Sequence, residues 1–170
     1  MYLENASDLQ SLTISYEISW HGNNLLSVQY YGLAEYSFAP HPDKLYFTAN
    51  VNMKSGGIMS LQDLFYADEI MVGSIIKNSN YVSPLDIDDA DLMDEMHEYM
   101  LDYLSNYDLA DNQFCFTQDS LWISIEVPHA IGGHAEFATK YSDLISSIKP
   151  ENEVWDDFED IRNKVAGVQS

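Results

Sequence analysis

Basic residues are scarce in this 170-residue sequence. It contains 7 Lys and Arg against 28 Asp and Glu, which gives a formal net charge of −21 at pH 7. A protein that binds nucleic acid needs Lys and Arg side chains to displace the counterions of the phosphates. An anionic membrane surface would repel the chain for the same reason. The composition excludes both as partners and leaves cationic proteins, peptides or Ca²⁺, or a role of the acidic residues in solubility alone.

Cysteine and long apolar runs are also lacking. Cys115 is the only cysteine, so an intramolecular disulfide is impossible. Its neighbours Phe114 and Phe116 favour a buried thiol over a nucleophile. The sequence contains no run of about 20 apolar residues, so it predicts no membrane-spanning helix. The first residues lack the basic and apolar regions of a signal peptide. We therefore expect either a cytosolic protein or one whose export segment has been removed.

Alternating apolar residues predict three strands in the first third of the sequence. Residues 13–20 place one apolar set on a single face and read as a half-buried strand: Ile14, Tyr16, Ile18 and Trp20. Turn residues 21–24 and a resumed alternation predict a hairpin. After the break at residues 40–43, a third strand is expected to point five side chains inward: Leu45, Phe47, Ala49, Val51 and Met53.

Helical spacing predicts two central helices and a C-terminal one. The first begins at Ser60, where Ser60 and Asp63 have the form of a capping box. Its expected buried stripe is Leu61, Leu64, Phe65, Met71, Val72 and Ile75. The second runs from about Asp91 to Tyr107, and its Met and Tyr stripe is interpreted as core rather than as a groove for partners. A third amphipathic segment follows Pro150.

The order of these elements indicates the fold class. Residues 114–117 and 121–127 predict a second hairpin, and a loop around residues 129–134 leads to a further run at residues 135–141. Sequential hairpins imply antiparallel pairing, and the helices interrupt the strands as a block. We therefore predict an α+β fold with a mainly antiparallel sheet of two hairpins plus a third strand. Two central helices and a C-terminal helix pack against it.

Acidic residues are concentrated between residues 86 and 111. No Lys or Arg occurs between Lys77 and Lys140, and ten acids fall in this segment: Asp86, Asp88, Asp89, Asp91, Asp94, Glu95, Glu98, Asp102, Asp108 and Asp111. A solvated acidic face and a docking surface for a cationic partner both fit this pattern. Residues 86–89 also resemble the opening of a Ca²⁺ loop, but the glycine and terminal Glu of such a loop are missing.

The sequence offers little for catalysis or cofactor binding. His41, His129 and His134 could hold Zn²⁺ only if their loops meet beside a carboxylate, and their spacing matches no helical ligand pattern. We interpret them as surface histidines. The sequence has no nucleophile elbow and no Gly-rich phosphate loop, and 28 acids make any carboxylate pair uninformative. We expect no cofactor, no metal and no enzymatic activity.

Three stretches in the right order, within roughly Thr13 to Ile148, resemble the RsiV-like domain family. They are residues 36–42, residues 52–65 with a Lys-Ser-Gly turn before Leu-Gln-Asp-Leu-Phe, and residues 114–144, which close on Tyr-Ser-Asp-Leu. The family occurs on lysozyme-sensing anti-sigma factors, beside polysaccharide deacetylases and in bacterial lipoproteins. Two departures concern recognition: Ala39-Pro40 replaces a glycine pair, and Pro128-His129 replaces Pro-Tyr.

The resemblance implies a division into an RsiV-like α+β domain at residues 12–149 and a C-terminal helical extension at residues 150–170. It implies an extracytoplasmic place in a bacterial envelope or periplasm, with lipid anchoring through a removed N-terminal segment. It also implies a non-catalytic binding or sensing domain for a cationic secreted protein such as lysozyme. The residues expected to bind it are His41, Asp88, Asp89, Asp94, Glu98, Pro128 and His129. The alternatives are an accessory domain of, or enzyme acting on, envelope polysaccharide, and a structural lipoprotein.

Overall fold

The computed structural model of the chain describes residues 8–37, 39–82, 90–106, 113–128 and 133–168. Within these ranges the chain forms two antiparallel sheets and four α-helices. The predicted α+β fold class is confirmed. None of the described helices is both long and apolar enough to cross a membrane.

The first sheet contains β1 (Leu9–His21), β2 (Leu25–Tyr36) and β3 (Asp43–Asn52), in the order β1-β2-β3. Both pairings are antiparallel, as the predicted hairpin requires. Tyr16 lies opposite Tyr30, which lies opposite Phe47 on its other side. The rings of Tyr16 and Tyr30 are 6.4 Å apart and those of Tyr30 and Phe47 are 5.7 Å apart. An aromatic row therefore crosses the sheet on one face.

The second sheet contains β4 (Asn80–Tyr81), β5 (Gln113–Phe116), β6 (Ser120–Glu126) and β7 (His134–Lys140). Its strand order is β4-β7-β6-β5, so β5 is an edge strand. The predicted second hairpin is the pair β5 and β6. The run predicted at residues 135–141 is β7, which pairs with β6.

The helices are α1 (Leu61–Leu64), α2 (Glu69–Asn78), α3 (Ala90–Asn106) and α4 (Glu159–Val168). The prediction for α3 is confirmed, and Met96, Met100 and Leu104 of its stripe are buried. Three short 3₁₀ segments, Tyr141–Asp143, Ile145–Ser147 and Glu153–Asp157, join β7 to α4.

The prediction of one continuous helix from Ser60 is wrong, because the chain leaves the helix at Phe65. Phe65 has an extended backbone and forms an antiparallel bridge with Ile148. The helix restarts at Asp68, whose carboxylate accepts hydrogen bonds from the backbone N–H groups of Ile70 and Met71. Phe65 is fully buried in this extended conformation. Its bridge to Ile148 replaces the hydrogen bonds that the local backbone groups would form in a continuous helix.

The start of α1 carries the capping box that Ser60 and Asp63 predict, with both of its halves present. One carboxylate oxygen of Asp63 accepts hydrogen bonds from the Ser60 backbone N–H at 2.7 Å and from its hydroxyl at 2.8 Å. The Ser60 hydroxyl thus also donates to the side chain of its capping partner.

The core lies between the second sheet and the helices and is rich in aromatic rings. Five buried rings contact one another in it: Phe65, Phe116, Tyr141, Trp155 and Phe158. Trp155 and Phe158 come from the segment predicted as a C-terminal extension. That division of the chain stays a prediction, and in the structure the segment contributes to the same core as the sheet.

The first sheet contacts β5 through polar side chains. The Asn50 Nδ2 group donates to the Phe114 carbonyl at 2.8 Å, and the Phe116 N–H donates to the Ser27 hydroxyl at 2.9 Å. The Phe114 N–H donates to the Thr48 hydroxyl at 3.1 Å, and Ser27 and Asn50 bond to each other at 2.7 Å. These side chains satisfy the edge of β5, which has no further strand beside it in the described residues.

This contact decides which face of the first sheet is buried. Ser27 and Asn50 are buried, whereas Ile14, Tyr16 and Ile18 are 47%, 70% and 52% exposed. The apolar set of β1, predicted as one face of a half-buried strand, is therefore largely exposed apart from Trp20. In the β3 set that was predicted to point inward, Met53 is exposed, and the rest is half-buried on the same side of the sheet as the β1 set: Leu45, Phe47, Ala49 and Val51. A register shift between Ile18 and Trp20 moves Trp20 alone to the inner side, opposite Ser27. Its ring stacks on Phe158 at 4.6 Å.

We name the exposed side of this sheet the outer face. Its large apolar side chains are Leu12, Ile14, Tyr16 and Ile18 of β1, Val28 and Tyr30 of β2, and Leu45 and Phe47 of β3. Cross-strand partners share a face, so the register assigns these eight residues to one side.

A carboxylate from the C-terminal segment closes the turn between β1 and β2. Asp157 accepts hydrogen bonds from three successive backbone N–H groups at 2.9–3.0 Å, those of Asn23, Asn24 and Leu25. A Cβ atom on Gly22 would lie 2.1 Å from Asp157 Oδ2. Glycine at position 22 is therefore required for the carboxylate to reach the turn.

We predict that Asn50→Ala lowers the free energy of unfolding by about 2–3 kcal/mol, because it leaves the buried Phe114 carbonyl and Ser27 hydroxyl without this partner. Urea denaturation measures the change. Asn50→Asp should be at least as damaging, since a carboxylate then faces a carbonyl oxygen. Ser15→Ala, at an exposed position of the same sheet, is the control. Equal stability of all variants would contradict the role of Asn50.

We predict that Asp157→Asn lowers the free energy of unfolding by about 2 kcal/mol, since hydrogen bonds to a charged group are lost. Gly22→Ala should cost a similar amount because it displaces the carboxylate. The double variant should then lose less than the sum of the two changes. Asp156→Asn is the matched control, since its ion pair with Arg162 is exposed and worth about 0–1 kcal/mol. Additive losses would contradict the coupling.

Candidate functional site

Two of the predicted binding residues lie in loops at one end of the first sheet. His41 is exposed between β2 and β3, and Pro128 is exposed just after β6. The ring of Tyr46, near the start of β3, stacks on His134, the first residue of β7, at 4.7 Å. The starts of β3 and β7 therefore lie side by side. His129, in the second loop, lies outside the described residues.

The predicted acidic residues divide differently. Asp94 and Glu98 lie on α3, whereas Asp88 and Asp89 lie outside the described residues. Glu95, Glu98 and Asp102 are exposed. Their spacing of three and four residues places them on one side of the helix, while Met96 and Met100 are buried on the other. We name Glu95, Glu98 and Asp102 the acidic face of α3.

The basic residues of the chain lie on other elements. All seven are in described segments, and none is on α3: Lys44, Lys54, Lys77, Lys140, Lys149, Arg162 and Lys164. The Lys54 ammonium lies 2.6 Å from Glu153, which raises the pKa of Lys54 and lowers that of Glu153. Arg162 lies 2.7 Å from Asp156. These exposed pairs neutralise acids of the C-terminal segment, and no Lys or Arg lies on α3 itself.

A polar cluster that the sequence did not reveal lies between the two sheets. Glu136 is buried, and its Oε1 atom lies 2.5 Å from His134 Nδ1 and 3.1 Å from the Ser124 hydroxyl. Its Oε2 atom is buried without a hydrogen-bond partner in the structure. The alternation of β7 puts Ala135 and Phe137 in the core, so Glu136 had to point the other way. No pattern in the sequence indicated that the side of β7 on which Glu136 lies is also covered.

Burial raises the pKa of three side chains near this cluster: Cys115, Tyr31 and Tyr46. Burial raises the pKa of the Cys115 thiol to about 12, and the nearby Glu136 and Glu17 charges add to the shift. Burial also raises the pKa of Tyr31 to about 12 and that of Tyr46 well above its usual range. A thiol that stays protonated at neutral pH is not a nucleophile. The arrangement supports structure at the sheet interface and supplies no activated group.

Among the described residues, His41 and His134 belong to no group of metal ligands. His134 is engaged with Glu136 through Nδ1, while His41 is exposed at a loop. In the described segments, no three His, Cys, Asp or Glu side chains form a group that could hold a metal ion.

A pocket of about 500 Å³ lies where the β1 end meets the C-terminal segment. Trp20 and Phe158 supply its aromatic wall, and polar groups surround them: Gln118, Asp119, Lys140 and Lys164. The Trp20 Nε1 group is buried and has no hydrogen-bond acceptor in the structure. The volume falls in the range of small-molecule sites, and the lining mixes aromatic surface with donors and acceptors.

We predict that Cys115 is unreactive in the folded protein. At pH 8 a thiol-specific reagent should label it at least about 100-fold more slowly than the same chain in urea, because burial disfavours the thiolate and blocks access. The release of the reagent's chromophore measures the rate. Labelling of the native protein at the rate of the unfolded chain would contradict the buried, protonated thiol.

Comparisons with known proteins relate the fold, but not the sequence, to others. No protein-family model and no curated protein matches the chain. Its structure is similar to that of a DUF3298 family protein from Bacteroides fragilis NCTC 9343, with a TM-score of 0.61 and 19% sequence identity. The match covers 86% of this chain and 56% of that one.

A second similar structure is a DUF3298 family protein from Pseudomonas aeruginosa PAO1. The TM-score is 0.54 and the identity 13%, over 82% of this chain and 62% of that one. This chain therefore spans less than two thirds of either neighbour. At these identities the likeness shows the fold alone. The structural neighbours of this chain are DUF3298 family proteins. Membership of this chain in the RsiV-like family stays a prediction.

Proposed function

We propose that the chain is a non-catalytic binding domain whose partner is a cationic secreted protein such as a lysozyme. The observation that carries this proposal is the acidic face of α3. It lies in a stretch without Lys or Arg from Lys77 to Lys140, in a chain of net charge −21. A surface of one charge sign attracts an oppositely charged protein over distance and raises its rate of association.

Specific contact in this proposal comes from the loops of His41 and Pro128. Both residues are exposed, and the stacked pair Tyr46 and His134 fixes the strands that follow the two loops. A contact between the first residues of the two strands lowers the entropy cost of binding through residues next to them. The acids then govern encounter, and the loops govern the lifetime of the complex.

The cellular setting is part of the proposal. We place the chain outside the cytoplasm, in a bacterial envelope. The resemblance to the RsiV-like family supports this placement. The absence of catalytic activity is likewise proposed. The protonated Cys115 thiol supports this part of the proposal. The names of the two neighbouring proteins are in keeping with it, since they give no activity.

A second candidate function is binding of envelope polysaccharide, as an accessory domain. The pocket beside Trp20 favours it, because an aromatic wall with several hydrogen-bonding groups suits a sugar ring. Soluble peptidoglycan fragments and lysozyme, passed over the same immobilised chain, distinguish the two functions.

We predict that hen-type lysozyme binds the immobilised chain at low salt and that neutralising the acidic face of α3 slows association. The variant is Glu95→Gln, Glu98→Gln and Asp102→Asn together. Its on-rate at about 0.05 M salt should fall roughly tenfold with a much smaller change in off-rate. Surface plasmon resonance measures both rates. At about 0.3 M salt the difference between variant and parent should shrink, because screening shortens the reach of the charges to below about 10 Å.

The matched control removes the same number of charges elsewhere. Asp143, Glu151 and Glu159 are exposed, and their replacement by Asn or Gln should slow association less. Equal slowing by both variants would show that net charge alone acts, without a docking face. Failure of lysozyme to bind at low salt would remove it as the partner.

A further inference from the structure

The outer face of the first sheet is apolar, and it is exposed along β1, whereas Val28 and Ala34 of β2 are buried. Leu12, Ile14, Tyr16 and Ile18 are each about half exposed or more. The aromatic row through Tyr30 and Phe47 continues this surface across all three strands. Contiguous exposed apolar surface of this kind marks an interaction site in a soluble domain.

The outer face is also nearly free of charge. The register assigns residues 12, 14, 16 and 18, the even positions of β2 from 26 to 36 and the odd positions of β3 to this side. Asp43, at one corner, is the only Asp, Glu, Lys or Arg among them. A chain with 28 acids thus places a single one of them on this sheet face, at its corner.

We propose that the outer face is the contact surface of a homodimer, in which two copies of this chain pack their first sheets face to face. Charge argues for a second copy as the occupant. Two molecules of net charge −21 repel each other, and they repel least where neither presents a charge. A strongly basic partner, in contrast, gains no electrostatic attraction from a neutral face and would select the acidic face of α3.

The size of the face meets what such a contact needs. Three strands about 4.8 Å apart, each about 10 residues long at roughly 3.3 Å per residue, give a face of about 15 by 33 Å, on the order of 500 Å². Two copies then bury about 1,000 Å² in total, the lower limit for a specific interface. Apolar sheet faces pack at about 10 Å in β-sandwiches, with their side chains interdigitated. A two-fold axis makes the same patch complementary to itself.

Analytical ultracentrifugation of the purified chain tests the proposal. From about 5 µM to about 500 µM the weight-average mass should rise from monomer toward dimer. Raising salt from about 0.05 M to about 0.5 M should strengthen the association, because screening weakens the repulsion between like-charged copies. The binding of a cationic partner responds to salt in the opposite direction. The two interactions are therefore separable, and the failure of one leaves the other standing.

Matched variants locate the contact. Ile14→Thr and Ile18→Thr, singly and together, should raise the dimer dissociation constant, at least tenfold for the pair, while threonine preserves strand propensity. Ile70→Thr makes the same single change on α2, at a residue that is 63% exposed outside the outer face, and should leave the dimer unchanged. Tyr16→Thr provides an independent outer-face variant, and circular dichroism verifies that each is folded.

Three outcomes would overturn the inference. The first is a monomer at every concentration and both salt levels. The second is a dimer that all outer-face variants leave intact. The third is equal weakening by the Ile70→Thr control and a single outer-face isoleucine variant, which would indicate nonspecific apolar association.

Discussion

The edge of β5 imposes the constraint on which the arrangement of the two sheets depends. Its backbone groups are buried and need partners, and they receive them from Asn50, Ser27 and Thr48 instead of from another strand. An unpaired buried amide or carbonyl costs about 1–3 kcal/mol, so these three side chains have to face β5. Strand alternation then leaves no choice for the rest of the sheet. Its apolar side faces away from the core, and the outer face is a direct consequence of the way β5 is satisfied.

The C-terminal segment fixes the same sheet at a second point. Asp157 holds the turn between β1 and β2 through three backbone N–H groups, and the adjacent Phe158 stacks on Trp20. The bulge before Trp20 matters here, because it turns one aromatic side chain of β1 inward while the preceding apolar residues stay outside. Polar contacts at β5 and at the turn thus orient the sheet, and a single aromatic contact ties it to the core. The first sheet is held at two places and left open over most of its outer side.

Local patterns in the sequence predicted where the strands and helices lie far better than which of their faces are buried. Alternation located β1, β2 and β3, and helical spacing located α3 and its buried Met96 and Met100. The same alternation could not tell which side of a strand is covered, because covering the polar side requires long-range partners such as Phe114. Phe65 illustrates a related limit, since its bridge to Ile148 overrides the continuing helical pattern around it.

Of the predicted binding residues, the loop positions His41 and Pro128 and the helix position Glu98 are exposed. The buried Glu136 had no signal, because a carboxylate in a strand ordinarily predicts a solvated side.

Charge accounts for how an apolar sheet face can stay uncovered on a protein that must remain dissolved. β1 is an edge strand in the described part of the chain and carries neither of the usual protections, since residues 9–21 include no Lys and no Pro. Such a strand exposes both an apolar surface and a backbone edge to any similar molecule. A net charge of −21 opposes close approach in most orientations. Only an approach that keeps the acidic surfaces apart while the neutral faces meet avoids most of this repulsion. The two proposals thus assign two physical effects to the excess of acid: attraction of cationic molecules to α3, and restriction of like molecules to the outer face.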